Sequence, residues 1–222
     1  MTTEERPIRI WDLGVRVFHW LLVLLLAGLW LTSELEGDWM TVHRWLGTTV
    51  LALVIARVVW GFVGSETARF TSFLKSPRVV FGYLRGFFSR GPAPETVGHN
   101  PAGGWSVLLL LLLVTLQAVT GLFSNDDVLF EGPLFALVGK DTSDLITGIH
   151  HLLFNFLLAV VVLHTAAILA HWFFRRENLV SAMITGVKPV RTTTVPPRMR
   201  SSWWALIIFV AVFVALFFLL GV

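Results

Sequence analysis

"GIHHLLFNFLLAVVVLHTAAILAHWFF", residues 148–174, decides how this chain is read. The stretch exceeds the ~20 apolar residues that cross a ~30 Å hydrocarbon core, yet it holds His150, His151, His164 and His171. An imidazole in lipid is costly unless something binds or bonds it. At ~100° per residue, positions 150 and 164 fall within about 40° of one helix face, and a 1.5 Å rise separates them by about 21 Å. His171 continues that stripe, whereas His151 points almost opposite to His164. The stripe asks for something to hold at two depths.

Outward from this stretch, the chain of 222 residues repeats the same pattern. Apolar blocks cover roughly 15–32, 43–63, 105–124, 148–173 and 203–222, each near spanning length. Backbone groups in lipid must be satisfied within their own segment, so each block is expected to be a helix. The expected fold is all-α: an integral membrane four-helix up-down bundle with an appended fifth transmembrane helix. Residues 1–188 would form the bundle domain, 189–202 a Pro/Arg-rich cytoplasmic linker with Pro196 and Pro197, and 203–222 the last helix. The first block has no clear small-x-small cleavage site, so it is read as a retained helix and not as a signal peptide. With no cysteine, the chain has no disulfide, no iron–sulfur cluster and no C-x-x-C-H haem attachment.

The net charge of +3 is a matter of topology. All Lys and Arg except Arg44 and Lys140 fall at or near the N-terminus, the 64–104 segment and the 175–202 segment. Glu34, Glu36, Asp38, Asp126, Asp127, Glu131, Asp141 and Asp144 gather on the other side. The positive-inside rule puts the N-terminus in the cytoplasm, the 33–42 and 125–147 loops outside, and the C-terminus outside. The expected setting is a membrane, with membrane lipid and not nucleic acid as the charged partner. Trp11, Trp60, Trp105, Trp172 and Trp203 mark the inner interface, and Trp30, Trp39 and Trp45 the outer. Between the second and third blocks, Val80, Tyr83, Leu84, Phe87 and Phe88 recur at helical spacing among Lys75, Arg78, Arg85 and Arg90. That pattern predicts an amphipathic helix on the cytoplasmic membrane face, facing anionic headgroups.

Two histidine layers follow from topology. His19 opens the first helix on the inner side and pairs in depth with His164; His43 opens the second on the outer side and pairs with His150. A zinc site wants about four ligands and finds no cysteine here. Haem needs two axial imidazoles and an apolar slot. The expectation is therefore two non-covalent haems, held by His19 with His164 and by His43 with His150. Arg16, Arg44 and Arg57 are candidate propionate partners, and Gly47, one turn past His43, leaves room for a porphyrin. His171 is a candidate quinone contact or proton donor beside the inner haem. Helix–helix hydrogen bonding by these histidines, replacement of His150 by His151, and snorkelling of Arg57 or His171 are the plainer alternatives.

"WDLGVRVFHWLLV", "HRWLG", "ARVVWGFVG", "GHNPAGGW", "LHTAAILAHWFF" and "RRENLVSAMITG" together resemble the bacterial cytochrome b-561 family, and the chain is also similar to the b-type cytochrome subunits of nickel–iron hydrogenases. The likeness runs from residue 8 to 188. It implies a four-helix bundle with two haems b ligated at His19, His43, His150 and His164, passing electrons between the quinone pool and a redox partner such as a hydrogenase or a periplasmic c-type cytochrome. The fifth helix departs from that pattern. His99 belongs to a family motif, and contact with an inner propionate or capping of the third helix are both open to it.

Three functions are weighed. An electron conduit suits two histidine-saturated haems, and its acidic external loops suit a basic partner. A self-contained superoxide:quinone oxidoreductase would be steered better by a basic outer surface, which only Arg44 and Lys140 could supply. A haem-free transporter would be expected to carry buried carboxylates, which these spans lack.

Overall fold

The computed structural model describes residues 5–35, 38–87, 96–128, 130–191 and 193–221. Strand β1 (Glu5–Arg9) leads into α1 (Leu13–Glu34), α2 (Trp39–Val63), the short α3 (Phe70–Phe73), α4 (Pro77–Phe87), α5 (Pro101–Gly121) and α6 (Lys140–Arg175). α7 (Leu179–Thr185), strand β2 (Val187–Arg191) and α8 (Trp203–Leu220) complete the order. Among the described residues, five helices, α1, α2, α5, α6 and α8, are long and apolar enough to cross a membrane. The fold is mostly helical, as the sequence predicts. α6 starts at Lys140, so part of the expected 125–147 loop is helix.

Local chemistry sets the helix ends. Asp12 caps α1 by accepting a hydrogen bond from the Val15 amide at 2.8 Å. Asn100 caps α5 by accepting from the Gly103 amide at 2.7 Å, with Pro101 in the first turn. Asn178 caps α7, which Gly186 ends at φ 80°.

α1 packs on α2, α2 on α5, and α5 on α6, while α8 lies along α2. Leu25, Val50, Leu53, Val54, Leu111, Val114 and Leu157 form the core of the bundle. α2 is central: it packs on α1, α5 and α8, and its Val50, Leu51, Ala52, Leu53, Val54 and Ala56 are all buried. α4 is the amphipathic helix expected; Phe88 and Arg90 lie outside the described residues. Its Phe87 is buried, whereas Val79, Phe81 and Leu84 are exposed.

β1 and β2 pair antiparallel, from Glu5 with Arg191 to Arg9 with Val187. The pair turns Ile8 and Val190 into a second apolar cluster with Ile10, Trp11, Val15, Trp60, Ala68 and Ala182. This platform closes the end of the bundle where α1 and α5 start and α2 and α6 finish. The Glu66 carboxylate accepts from the Arg198 amide at 2.9 Å, and Ser65 Oγ from the Arg200 amide at 3.0 Å, so the segment leading to α8 is fastened to the platform.

Candidate functional site

Seven-residue spacing gives the site its direction. On α6, His150, Leu157, His164 and His171 lie seven apart, and an α-helix drifts only about 20° over that interval. Leu157 is buried in the bundle core, so the histidines of its stripe also turn inward. On α2 the same spacing links His43, Val50 and Arg57, and the last two are 2% and 4% exposed. His19 and His164 lie within electrostatic reach of each other, as do His43 and His150. Leu157 and Val50 form an apolar waist between the two levels. His151 faces out and is exposed.

α6 runs along α5 and makes no comparably close backbone approach to α1 or α2 among the described residues. The helix bearing His150 and His164 thus stands off from those bearing His19 and His43. A flat macrocycle needs such a slot. No three His, Asp or Glu side chains converge as a metal cluster among the described residues, so the histidine pair is the available donor set.

At the first level, His43 Nδ1 lies 3.0 Å from the Leu29 carbonyl and 3.2 Å from Thr32 Oγ1. Donation to that carbonyl holds the ring and leaves Nε2 as the free donor atom, the usual arrangement for a ligating histidine. His150 Nδ1 meets Thr120 Oγ1 at 3.0 Å, while its Nε2 meets the Gln117 amide at 3.1 Å. Gln117 Oε1 is sealed without a partner among the described residues, while its Nε2 occupies the face of His150 Nε2. Arg44 is half-buried, and its Nε has no partner among the described residues. A Cβ added at Gly47 would meet only Leu29 Cδ2, at 3.9 Å, so there is space beside it.

At the second level, His19 Nδ1 is sealed without a partner among the described residues, and its ring meets Trp20 edge-on at 4.9 Å. Arg57 places its guanidinium 5.9 Å from the Phe18 ring centre and 5.8 Å from that of Phe70, and its NH1 is unpartnered among the described residues. Arg57 is therefore buried and does not snorkel. Arg16 donates to the Ile184 carbonyl at 2.6 Å, which ties α1 to α7. Asp12 uses both oxygens, on the Val15 amide and on Trp60 Nε1 at 3.1 Å.

"GHNPAGGW" divides its labour residue by residue. Gly98 sits at φ 83°, a conformation that favours glycine. His99 wedges between Trp11 (4.5 Å) and Phe73 (4.7 Å). Burial, with Arg57 and His164 nearby, pushes the His99 imidazole down to about 3. Capping falls to Asn100 and not to His99. A Cβ at Gly104 would stand 2.7 Å from the Phe73 carbonyl oxygen, so this close approach excludes any larger residue. Trp105 Nε1 donates to the Lys75 carbonyl at 2.9 Å.

His171 is buried beneath α4. Its Nε2 lies 3.2 Å from both Tyr83 Oη and Asn100 Nδ2, and its Nδ1 lies 3.4 Å from Glu177 Oε2. Glu177 also pairs with Lys188. Contact with His171, then with Lys188, holds the Glu177 carboxyl down to about 2, while burial and the Glu177 charge push Tyr83 up to about 12. Sequence reading missed Asn100, Gln117, Thr120 and Glu177 as neighbours of the histidines. Only Asn100 had a local signal, an Asn-Pro pair opening an apolar run.

The prokaryotic cytochrome b561 family model matches residues 10–186. The chain belongs to that family. A probable Ni/Fe-hydrogenase B-type cytochrome subunit of Rhizobium leguminosarum bv. viciae is 29% identical over 82% of this chain and 89% of its own length. The Bradyrhizobium diazoefficiens protein of the same description is 25% identical over 84% and 88%. A probable superoxide oxidase of Yersinia pestis is 24% identical over 75% and 90%. No solved structure matches. The family implies haem b and a multi-pass membrane setting. The standoff of α6 from α1 and α2, the space at Gly47 and the nitrogens of His19, Arg44 and Arg57 that have no partner among the described residues fit such a group.

Proposed function

We propose that this b561-family cytochrome holds two haems b and passes electrons between the quinone pool and a redox partner, either a hydrogenase or other dehydrogenase, or a periplasmic c-type cytochrome. The observation that carries the reading is the two-level pairing of inward histidines, His43 with His150 and His19 with His164, on either side of an apolar waist. When bound, the haems supply reversible one-electron chemistry. His43 is oriented for ligation by the Leu29 carbonyl, and Leu157 and Val50 keep water from the space between levels. Arg44 and Arg57 meet propionate charge at their respective levels, with Arg16 at the platform edge.

His171, with Tyr83 and Asn100, is assigned to the quinone headgroup at the platform end. That end faces the cytoplasm of the bacterial inner membrane, because the basic residues gather there. The opposite end presents Asp38, Asp126, Asp127, Glu131, Asp141 and Asp144 to a basic partner surface.

The Yersinia pestis relative favours a second reading, in which the chain oxidises superoxide itself. Lys140 is tied to Asp127 and Asp144, so it is poorly placed to attract an anion, and the conduit reading is preferred.

Ligand substitution tests the assignment. His164→Ala is expected to remove one haem and keep the other, and His43→Ala to do the converse, as read by haem-to-chain ratio and the reduced-minus-oxidised spectrum. Two haems in either variant would refute the ligand set.

A further inference from the structure

Near the platform end, two sealed polar groups from different elements face the same neighbourhood. Arg57, on α2, is 4% exposed, and its NH1 has no hydrogen-bond partner among the described residues. His99, in the turn before α5, has its Nδ1 sealed and equally without a partner. Each lies within electrostatic reach of the other, and His99 also of His164.

A buried guanidinium is expected to find an acceptor. Asp12 is the nearby carboxylate, but its two oxygens already serve the Val15 amide and Trp60 Nε1. The rings around the pair, Phe18 and Phe70 at Arg57 and Trp11 and Phe73 at His99, offer only aromatic faces and edges. What is missing is an anion with at least two lone pairs, which describes a carboxylate.

We infer that Arg57 and His99 form a two-point cradle for one carboxylate of the porphyrin held at the His19–His164 level. The inference rests on the haem reading above and adds a residue to it. Arg57 supplies the charge. His99 supplies a directed N–H that cannot turn away, because Trp11 and Phe73 clamp its ring. Gly98 and the Asn100 cap fix the turn that carries it. Loss of the His99 donor leaves the carboxylate charge less compensated, which favours ferric iron and lowers the midpoint potential of that haem.

The test compares His99→Phe, which keeps the aromatic wedge, with His99→Gln, which restores a donor. Each purified full chain is measured for haem count, for midpoint potential by redox titration, and for haem loss to an apo-globin acceptor. In His99→Phe the haem that His164→Ala removes should show a lowered midpoint and leave about threefold to tenfold faster, the worth of one hydrogen bond. The other haem should be unchanged, and His99→Gln should recover most of both effects. Two haems with unaltered potential and loss rate in His99→Phe would overturn the cradle while leaving the haem reading intact. Equal defects in both variants would also overturn it, since they would reveal only packing. A wild-type chain without haem would sink the functional reading itself.

Discussion

At Glu177 one carboxylate joins three parts of the platform: His171 on α6, Lys188 on β2 and, through Lys188, the Thr96 carbonyl ahead of α5. Those contacts hold its pKa near 2, below the ordinary 4.5. A depressed carboxylate gives its full stabilisation above the unfolded value and loses it as pH falls towards the folded one. Glu177→Gln should therefore lower stability at pH 7 by an amount on the order of 2 kcal/mol, and its difference from wild type should shrink between pH 4.5 and 2. Thermal melts in detergent at pH 7 and pH 3 check this; an equal difference at both pH values would contradict it. Single residues were legible where they clashed with their surroundings. The imidazoles of His19, His43, His150 and His164 stand out against a lipid-soluble background, as does Arg57. Tyr83, Gln117, Thr120 and Glu177 gave no such signal, because their partners come from other elements.

At the scale of elements, the long apolar runs announce five spanning helices, and amphipathic spacing announces α4. The β1–β2 pair was illegible for a physical reason: Pro7 opposes Pro189, and proline lacks the donor that a strand pattern needs. The early start of α6 was obscured by Lys140, Asp141 and Asp144, which read as a loop although a helix N-terminus favours an acidic side chain such as Asp141. α4 is docked by Phe87, whose ring lies 4.9 Å from His171, and by Arg175, which donates to the Gly86 carbonyl. Phe87→Ala should weaken that docking by about 3 kcal/mol. Hydrogen exchange should then quicken across residues 77–87 while α5 and α6 stay protected; unchanged exchange in α4 would show that Phe87 does not anchor it.

Across the whole molecule, a basic platform and an acidic loop end flank a bundle in which α6 stands off from α1 and α2. α8 packs on α2, and α2 without it would meet lipid, which is about as apolar as the side chains it replaces. Truncation before residue 203 should therefore lower the melting temperature modestly and leave the haem content intact, as read by absorbance and melting in detergent; loss of haem would show that α8 supports the slot. The most direct measurement is the ratio of protohaem to chain in protein purified in mild detergent from haem-replete cells. The account predicts about two, both low-spin, and a colourless preparation would contradict it.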